Sequence, residues 1–174
     1  MNIYLMGYMG CGKTRTGRRL AAHAGWPFAD LDTLFETRFG TTIHDYFNRH
    51  SEEDFRQEEC HLLHDTAGLE RHIIALGGGT PCYGDNMAWI NKHGISVYLK
   101  MDALALFHRL SHSNKIRPLI AGLDADRLLD RIGTQLPQRE PYYMQADLTW
   151  PGLNVEIPPL WQQLQTILQT KASE

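Results

Sequence analysis

Cysteine is scarce in this sequence: three in 174 residues, Cys11, Cys60 and Cys82, with no Cys-x-x-Cys spacing. An odd, unpatterned set argues against a disulfide framework and points to reduced thiols in a cytoplasmic protein. Long apolar runs are missing as well, and no stretch approaches the length of a membrane span. The opening residues lack a basic segment, and glycines with Lys13 interrupt their apolar run, so no signal peptide is expected. Neither sign of charge is in large excess: 17 Lys and Arg against 20 Asp and Glu give a formal charge of −3. That balance argues against a general nucleic-acid or membrane-surface binder, and any anionic ligand must be held by a few placed cations. Repeats, low-complexity tracts and long linkers are absent too. What is present, 43% hydrophobic and 21% charged residues, is a globular composition. Its length suits one domain over 1–174, large enough to bury a core without disulfides or metal.

Residues 2–6, NIYLM, read as a short buried strand, and the segment from Lys13 to Gly25 as a helix with Leu20 and Ala21 inward. WPFADLD contains a second strand ending in acids, and 31–70 is helical in three pieces. The third piece has an N-cap at Ser51, with Asp54 three residues on, and Gly68 near its end. RHIIAL is a third strand cut off by Gly77-Gly78-Gly79. A helix near 85–92, a strand at 95–99, a helix at 102–110, a polar loop at 111–124 and a helix near 124–136 follow. A weak strand at 146–150 and a helix at 159–170 close the chain. Strands alternating with helices imply an α/β fold: a parallel sheet covered on both faces. In such sheets ligands collect beyond the carboxyl ends of the strands, where the glycine-rich and acidic clusters fall.

Gly7-Tyr8-Met9-Gly10-Cys11-Gly12-Lys13-Thr14 matches G-x-x-x-x-G-K-S/T in full, between a strand and a helix. The glycines let successive backbone N–H groups turn inward around a phosphate, at the positive end of the following helix. Lys13 would reach the β- and γ-phosphates, and the Thr14 hydroxyl would ligate Mg²⁺. Gly10, Cys11, Gly12 and Arg15 complete the candidate ATP site. No guanine-reading Asn-Lys-x-Asp exists; NKHG and NKIR lack the Asp. Strand three ends in glycines rather than in a metal-supporting acid, which leaves Asp30 as the candidate. His61 with His64, and His108 with His112, have helical spacing but no third ligand, and read as solvated or capping side chains. Phe47 and Phe55 fit core or pocket wall equally, while Trp150 and Trp161 read as packing.

GYMGCGKTRTGRRLA, FADLDTLFE, EDFRQEE, ALGGGTP, IRPLI and QREPYY resemble, in the same order, the motifs of shikimate kinases. The resemblance runs over about residues 3–146. It implies a three-layer α/β/α P-loop kinase fold with a five-stranded parallel sheet, a helical substrate-binding region at about 31–61 and a lid at about 111–124. It also implies transfer of phosphate from ATP to the 3-hydroxyl of shikimate, with Mg²⁺, in chorismate and aromatic amino acid biosynthesis. By position, Asp32 would contact the ring hydroxyls, as a general base or only as an orienting acceptor, and Asp30 would support Mg²⁺ through water. Arg56 and Arg139 correspond to the two arginines that grip the substrate carboxylate, Gly77, Gly78 and Gly79 to the pocket lining, and Arg117 to the lid arginine. Arg109 resembles a nucleotide-side arginine before the lid. The partners implied are ATP and shikimate, in a cytoplasmic monomer without nucleic-acid or membrane contacts.

Blander roles compete for the same residues. One aspartate of the pair could cap the helix at 31–39; Arg56 could sit in a surface salt bridge with Glu52, Glu53 or Glu59; Arg139 could mark a helix end before Pro141. Rival functions are a gluconate or nucleoside monophosphate kinase, and a regulatory module that hydrolyses ATP slowly. The pair Arg56 plus Arg139 sets the regulatory module apart, because a module without a small carboxylate ligand has no reason to place it, while ADP formation with each acceptor separates the kinases.

Overall fold

The structure, a computed structural model, describes residues 1–113, 120 and 122–173. Five parallel strands, β1 (Asn2–Met6), β2 (Phe28–Asp30), β3 (Ile73–Ala75), β4 (Gly94–Lys100) and β5 (Leu148–Pro151), form one sheet in the order β2-β3-β1-β4-β5. β1 is central and every one of its residues is buried, which is why NIYLM carries no polar alternation. Its polar groups are satisfied: Asn2 Nδ2 donates to the carbonyls of Thr66 and Leu69, Asn2 Oδ1 accepts from the His72 amide, and the Tyr4 hydroxyl bonds to Thr66 Oγ1.

The helices are α1 (Lys13–Ala24), α2 (Leu31–Phe39), α3 (Ile43–Phe47), α4 (Glu52–Asp65), α5 (Asn86–His93), α6 (Ala103–Ser111), α7 (Ala125–Tyr143) and α8 (Ile157–Lys171). α1 and α8 pack together on one side of the sheet, joined by a T-shaped pair of Trp26 and Trp161. α5 lies on the other side, with Trp89 edge-on to Tyr4, and α7 packs against α6. Trp161 is therefore a packing residue. None of the described helices is long and apolar enough to cross a membrane.

Register places the site. Leu5 pairs with both Ala75 and Val97, and Asp30 pairs with Ala75, so β1, β2 and β3 end at one level. The loops that leave them, Gly7 to Gly12, the residues after Asp30 and the triple glycine, must emerge on the same edge. β1 changes neighbours there, flanked by β3 on one side and β4 on the other.

Beyond that edge α2, α3 and α4 form a cap with an aromatic core of its own. Phe35 is 1% exposed and lies 4.5 Å from Phe39, 4.9 Å from Tyr46 and 4.8 Å from Phe55, ring centre to ring centre. Ser51 caps α4 as expected, in a reciprocal box with Asp54.

Most boundaries fall within two residues of the sequence expectation, and two of the differences have a clear physical cause. β3 begins at Ile73 rather than Arg71, because Arg71 adopts a left-handed conformation (φ 54°) that no strand accommodates. α7 runs through Pro137 and Pro141 to Tyr143 instead of stopping near 136. A proline inside a helix costs about 3 kcal/mol. Here Ile132 and Leu136 before them and Tyr143 after them are buried, and that tertiary anchoring carries the helix across. Arg139 therefore lies within a helix and not at its end. The central part of the expected lid, with Arg117, lies outside the described residues.

Phe35→Ala is expected to lower the unfolding free energy by about 3–5 kcal/mol, the usual cost of truncating a buried phenylalanine. Urea denaturation would measure it, and a loss below about 1 kcal/mol would show that the cap does not depend on this ring.

Candidate active site

The loop from Gly7 to Gly12 closes over the start of α1 with three glycines at positive φ, 138° at Gly7, 85° at Gly10 and 98° at Gly12. Side chains are excluded there sterically as well: a Cβ on Gly7 would sit 2.8 Å from the Leu99 carbonyl oxygen. Gly12 caps α1 without a side-chain bond, and the first turn holds no acid, so the free amides and the helix dipole face the cleft uncompensated. Lys13 Nζ is folded onto the loop, donating to the carbonyls of Gly7 (2.8 Å) and Tyr8 (3.2 Å). A phosphate oxygen exceeds a neutral carbonyl as partner for an ammonium, so this position is a resting place from which Lys13 can reach a polyphosphate. Arg109 Nη1 braces the loop from α6 through the carbonyl of Cys11 (3.1 Å).

Thr14 Oγ1 donates to Asp30 Oδ2 at 2.7 Å, and Asp30 Oδ1 accepts from the Asp32 amide at 3.1 Å. Asp30 thus caps α2 and holds Thr14 at once, which unites the bland and the functional readings of that carboxylate. Its side chain and the Thr14 hydroxyl offer hard oxygen donors next to the phosphate loop, the donor set that suits Mg²⁺ rather than a softer metal. Asp32, in the first turn of α2, also lines the cleft, and a Cβ on Gly77 would come 3.5 Å from its Oδ1.

A cleft of about 1000 Å³ runs from the loop to the cap. Gly10, Gly12, Lys13, Thr14 and Arg15 of the loop and α1 line it together with Asp30, Asp32, Arg56, Gly77, Gly78, Gly79 and Arg139. Cys11 differs from the other loop positions: its side chain is 1% exposed and turned into the core, and its amide is bonded to the Tyr8 carbonyl. Phe47 and Phe55 pack on each other at 4.7 Å and also form cleft wall.

The two far arginines are held differently. Arg56 is 9% exposed and pairs with Glu59 at 2.7 Å, while Glu52 reaches it at 3.3 Å from solvent. Burial works against the charge of Arg56, but Glu59, and then Glu52, more than offset it, so its pKa is raised and the guanidinium stays charged. The surface salt bridge offered as the bland alternative is instead a buried pair facing the cleft. Glu59 was invisible as a site residue in the sequence; its only signal was the i, i+3 spacing to Arg56. Its other oxygen accepts from Thr80 Oγ1 at 2.7 Å. A buried pair is weak evidence of stabilisation, since desolvation consumes most of the attraction.

Arg139 has no carboxylate within ion-pair distance among the described residues. Its guanidinium lies over the Tyr8 ring, 5.5 Å from the centroid. Beside both arginines sits Cys82, whose thiol burial pushes up to about 11, with the two guanidinium groups pulling the other way. It stays neutral at pH 7 and gives neither arginine a counter-ion. Tyr143 donates to the Gly78 carbonyl and so ties α7 to the triple glycine.

The glycines make room for these charges. A Cβ on Gly77 would fall inside the Glu59 carboxylate, and one on Gly79 would come 2.5–2.7 Å from the Arg56 guanidinium. A Cβ on Gly78 would meet the Met9 amide nitrogen at 3.3 Å, so this turn also packs on the phosphate loop. The arrangement brings a glycine-rich loop with Lys13 and Thr14, the carboxylates of Asp30 and Asp32 and the guanidinium groups of Arg56 and Arg139 onto one cleft.

The family model for shikimate kinase matches residues 9–153. A shikimate kinase of Bacteroides fragilis is 42% identical over 147 residues, covering 84% of this chain and 82% of that protein. One from Bacteroides thetaiotaomicron is 38% identical over 173 residues, covering 97% and 99%. Among solved structures, the crystal structure of the shikimate kinase from Bacteroides thetaiotaomicron superposes with a TM-score of 0.89 at 38% identity, covering 97% of this chain and 98% of that one. The shikimate kinase from Acinetobacter baumannii in complex with shikimate gives 0.79 at 32% identity, covering 99% and 93%.

Gly79→Ala should displace Arg56 from Glu59 and lower the unfolding free energy by about 1–3 kcal/mol, the cost of overpacking. Denaturation in urea would show it, and an unchanged midpoint would mean that the guanidinium moves aside freely.

Proposed function

The chain belongs to the shikimate kinase family, and on that premise we propose how its cleft is divided between the two substrates. The protein is an ATP-dependent kinase that phosphorylates the 3-hydroxyl of shikimate, giving shikimate 3-phosphate and ADP. The observation that carries the division is that two guanidinium groups reach the cleft beside the triple glycine, one of them without a carboxylate partner among the described residues, while Lys13 and Thr14 of the phosphate loop line the same cleft. In this reading Gly10, Cys11, Gly12, Lys13, Thr14 and Arg15 hold ATP, and Arg117 closes on it from the lid. Arg56, Gly77, Gly78, Gly79 and Arg139 hold shikimate, and Asp32 contacts its hydroxyls. Thr14, and Asp30 through water, would hold Mg²⁺, which supplies charge neutralisation on the β- and γ-phosphates when bound.

The protein's own contribution is placement. Arg139, and Arg56 within its pair, grip a planar carboxylate through parallel hydrogen bonds that a lysine does not reproduce. That grip fixes the ring, and Asp32 then accepts from or orients the hydroxyl that attacks the γ-phosphate. Lys13 moves from the loop carbonyls to the phosphates and follows the charge that builds during transfer. Both ends of the in-line reaction are then set before chemistry begins. Free cysteines and one continuous core support a single-domain enzyme of the cytoplasm, monomeric in this proposal.

A coupled assay of ADP formation over a panel of small hydroxy acids, gluconate and nucleoside monophosphates tests the acceptor. Turnover is expected with shikimate alone, and equal turnover with gluconate would refute the carboxylate-and-ring reading. Asp32→Asn should leave nucleotide affinity within about twofold while kcat falls at least about 100-fold, the range that loss of a positioned acid–base group produces. An unchanged kcat would remove Asp32 from the catalytic machinery.

A further inference from the structure

Tyr8 has no place in the division above. It occupies a variable position of the phosphate-loop pattern, which demands no aromatic side chain, yet it is 1% exposed and, among the described residues, its side chain makes two directed contacts, both with α7. The ring face carries the Arg139 guanidinium, with Cζ 5.5 Å from the centroid. The hydroxyl donates to Gln135 Oε1 at 2.8 Å. Gln135 and Arg139 are one helical turn apart on the same face, so the tyrosine lies along that turn with its far end clamped and its face turned to the cation. Its backbone is held from the other side: the Tyr8 carbonyl accepts from Lys13 Nζ and from the Cys11 amide, both at 3.2 Å. One residue therefore touches the phosphate-loop lysine through its carbonyl and the acid-facing arginine through its ring.

The choice of an aromatic partner has a chemical consequence. Arg56 is restrained by Glu59, a full negative charge that any incoming carboxylate must share the guanidinium with. Arg139 is restrained by the negative face of the Tyr8 ring, which orients a cation from behind, and by a side-chain hydrogen bond to Tyr143, both neutral partners that leave its remaining N–H donors for a ligand. Burial pushes the Tyr8 hydroxyl pKa up, against the pull of Arg139 and Arg131, so the group remains a neutral donor to Gln135 across the physiological range.

We infer that Tyr8 is a positioning residue for the acid substrate: its ring, fixed through Gln135, holds the Arg139 guanidinium in the orientation that receives the carboxylate, and ties that orientation to the phosphate loop. The inference rests on Arg139 as a carboxylate-holding group.

Steady-state kinetics with shikimate and ATP each varied, on wild type, Tyr8→Leu, Tyr8→Phe, Arg139→Lys and the Tyr8→Leu/Arg139→Lys double variant, test it. Tyr8→Leu removes the ring face and should raise the KM for shikimate about 5–10-fold, with the KM for ATP moved by less than about twofold. Tyr8→Phe keeps the ring and loses only the bond to Gln135, so it should recover most of that loss. In the double variant the two effects should not multiply, because the ring has no guanidinium left to orient. Equal rises in both KM values would mean a damaged loop and overturn the inference, as would fully multiplicative effects. A normal shikimate KM in Tyr8→Leu alongside an impaired Arg139→Lys would overturn it while leaving Arg139 in its role. A normal KM in Arg139→Lys would overturn the role of Arg139 itself and the inference with it. Should Tyr8→Leu fail to fold, Tyr8→Phe and Gln135→Leu decide: each should raise the shikimate KM about two- to threefold, and wild-type values in both would overturn the proposal.

Discussion

Cations collected in one cleft repel each other and attract any carboxylate nearby, and the protein must hold them ready without neutralising them. That constraint organises the site. Three solutions stand side by side: Lys13 rests on loop carbonyls, Arg56 on the buried Glu59, and Arg139 on the face of Tyr8. In the proposed division of the cleft, a ligand group would replace or join each of these partners. Cys82, near both arginines, stays a neutral thiol because burial pushes it up to about 11, so it gives neither of them a counter-charge.

Holding charge this way requires backbone to come unusually close. The triple glycine is less a flexible hinge than a surface without side chains, pressed by Glu59 at Gly77, by the phosphate loop at Gly78 and by the Arg56 guanidinium at Gly79. The parallel register makes this contact possible, since the strands carrying the phosphate loop, Asp30 and the glycines all stop at the same level. From the opposite side α7 reaches the same point, with Tyr143 bonded to Gly78 and Arg139 over Tyr8. Catalytic positioning in a phosphoryl-transfer enzyme is mostly this kind of shared scaffolding.

Much of this was legible before any coordinates. The phosphate loop, its flanking strand and helix, the Ser51 cap and the five-strand alternation follow from patterns within a few residues, and they agree with the structure. The longer reach of α7 was not legible. Two prolines predict a break locally, and only burial of Leu136 and Tyr143 against distant segments outweighs them. Nor could the sequence choose between Arg56 as a surface pair and as a cleft residue, because both use the same i, i+3 neighbour. Glu59 and Tyr8 escaped for a related reason: nothing local distinguishes a buried, ligand-facing glutamate from the other acids of α4, or a loop tyrosine from a filler.

What the linear chain determined by itself is therefore what short-range physics controls: where backbone can turn, where helices begin, and which stretch can wrap a polyphosphate. Its order of motifs also settled the family, and with it the reaction. Tertiary structure alone decided which face each charge presents and what restrains it, because those outcomes depend on residues dozens of positions apart that meet only once the sheet is assembled. Tyr8 and Arg139 are the clearest case, since a ring and a guanidinium from opposite ends of the chain acquire a meaning only in contact.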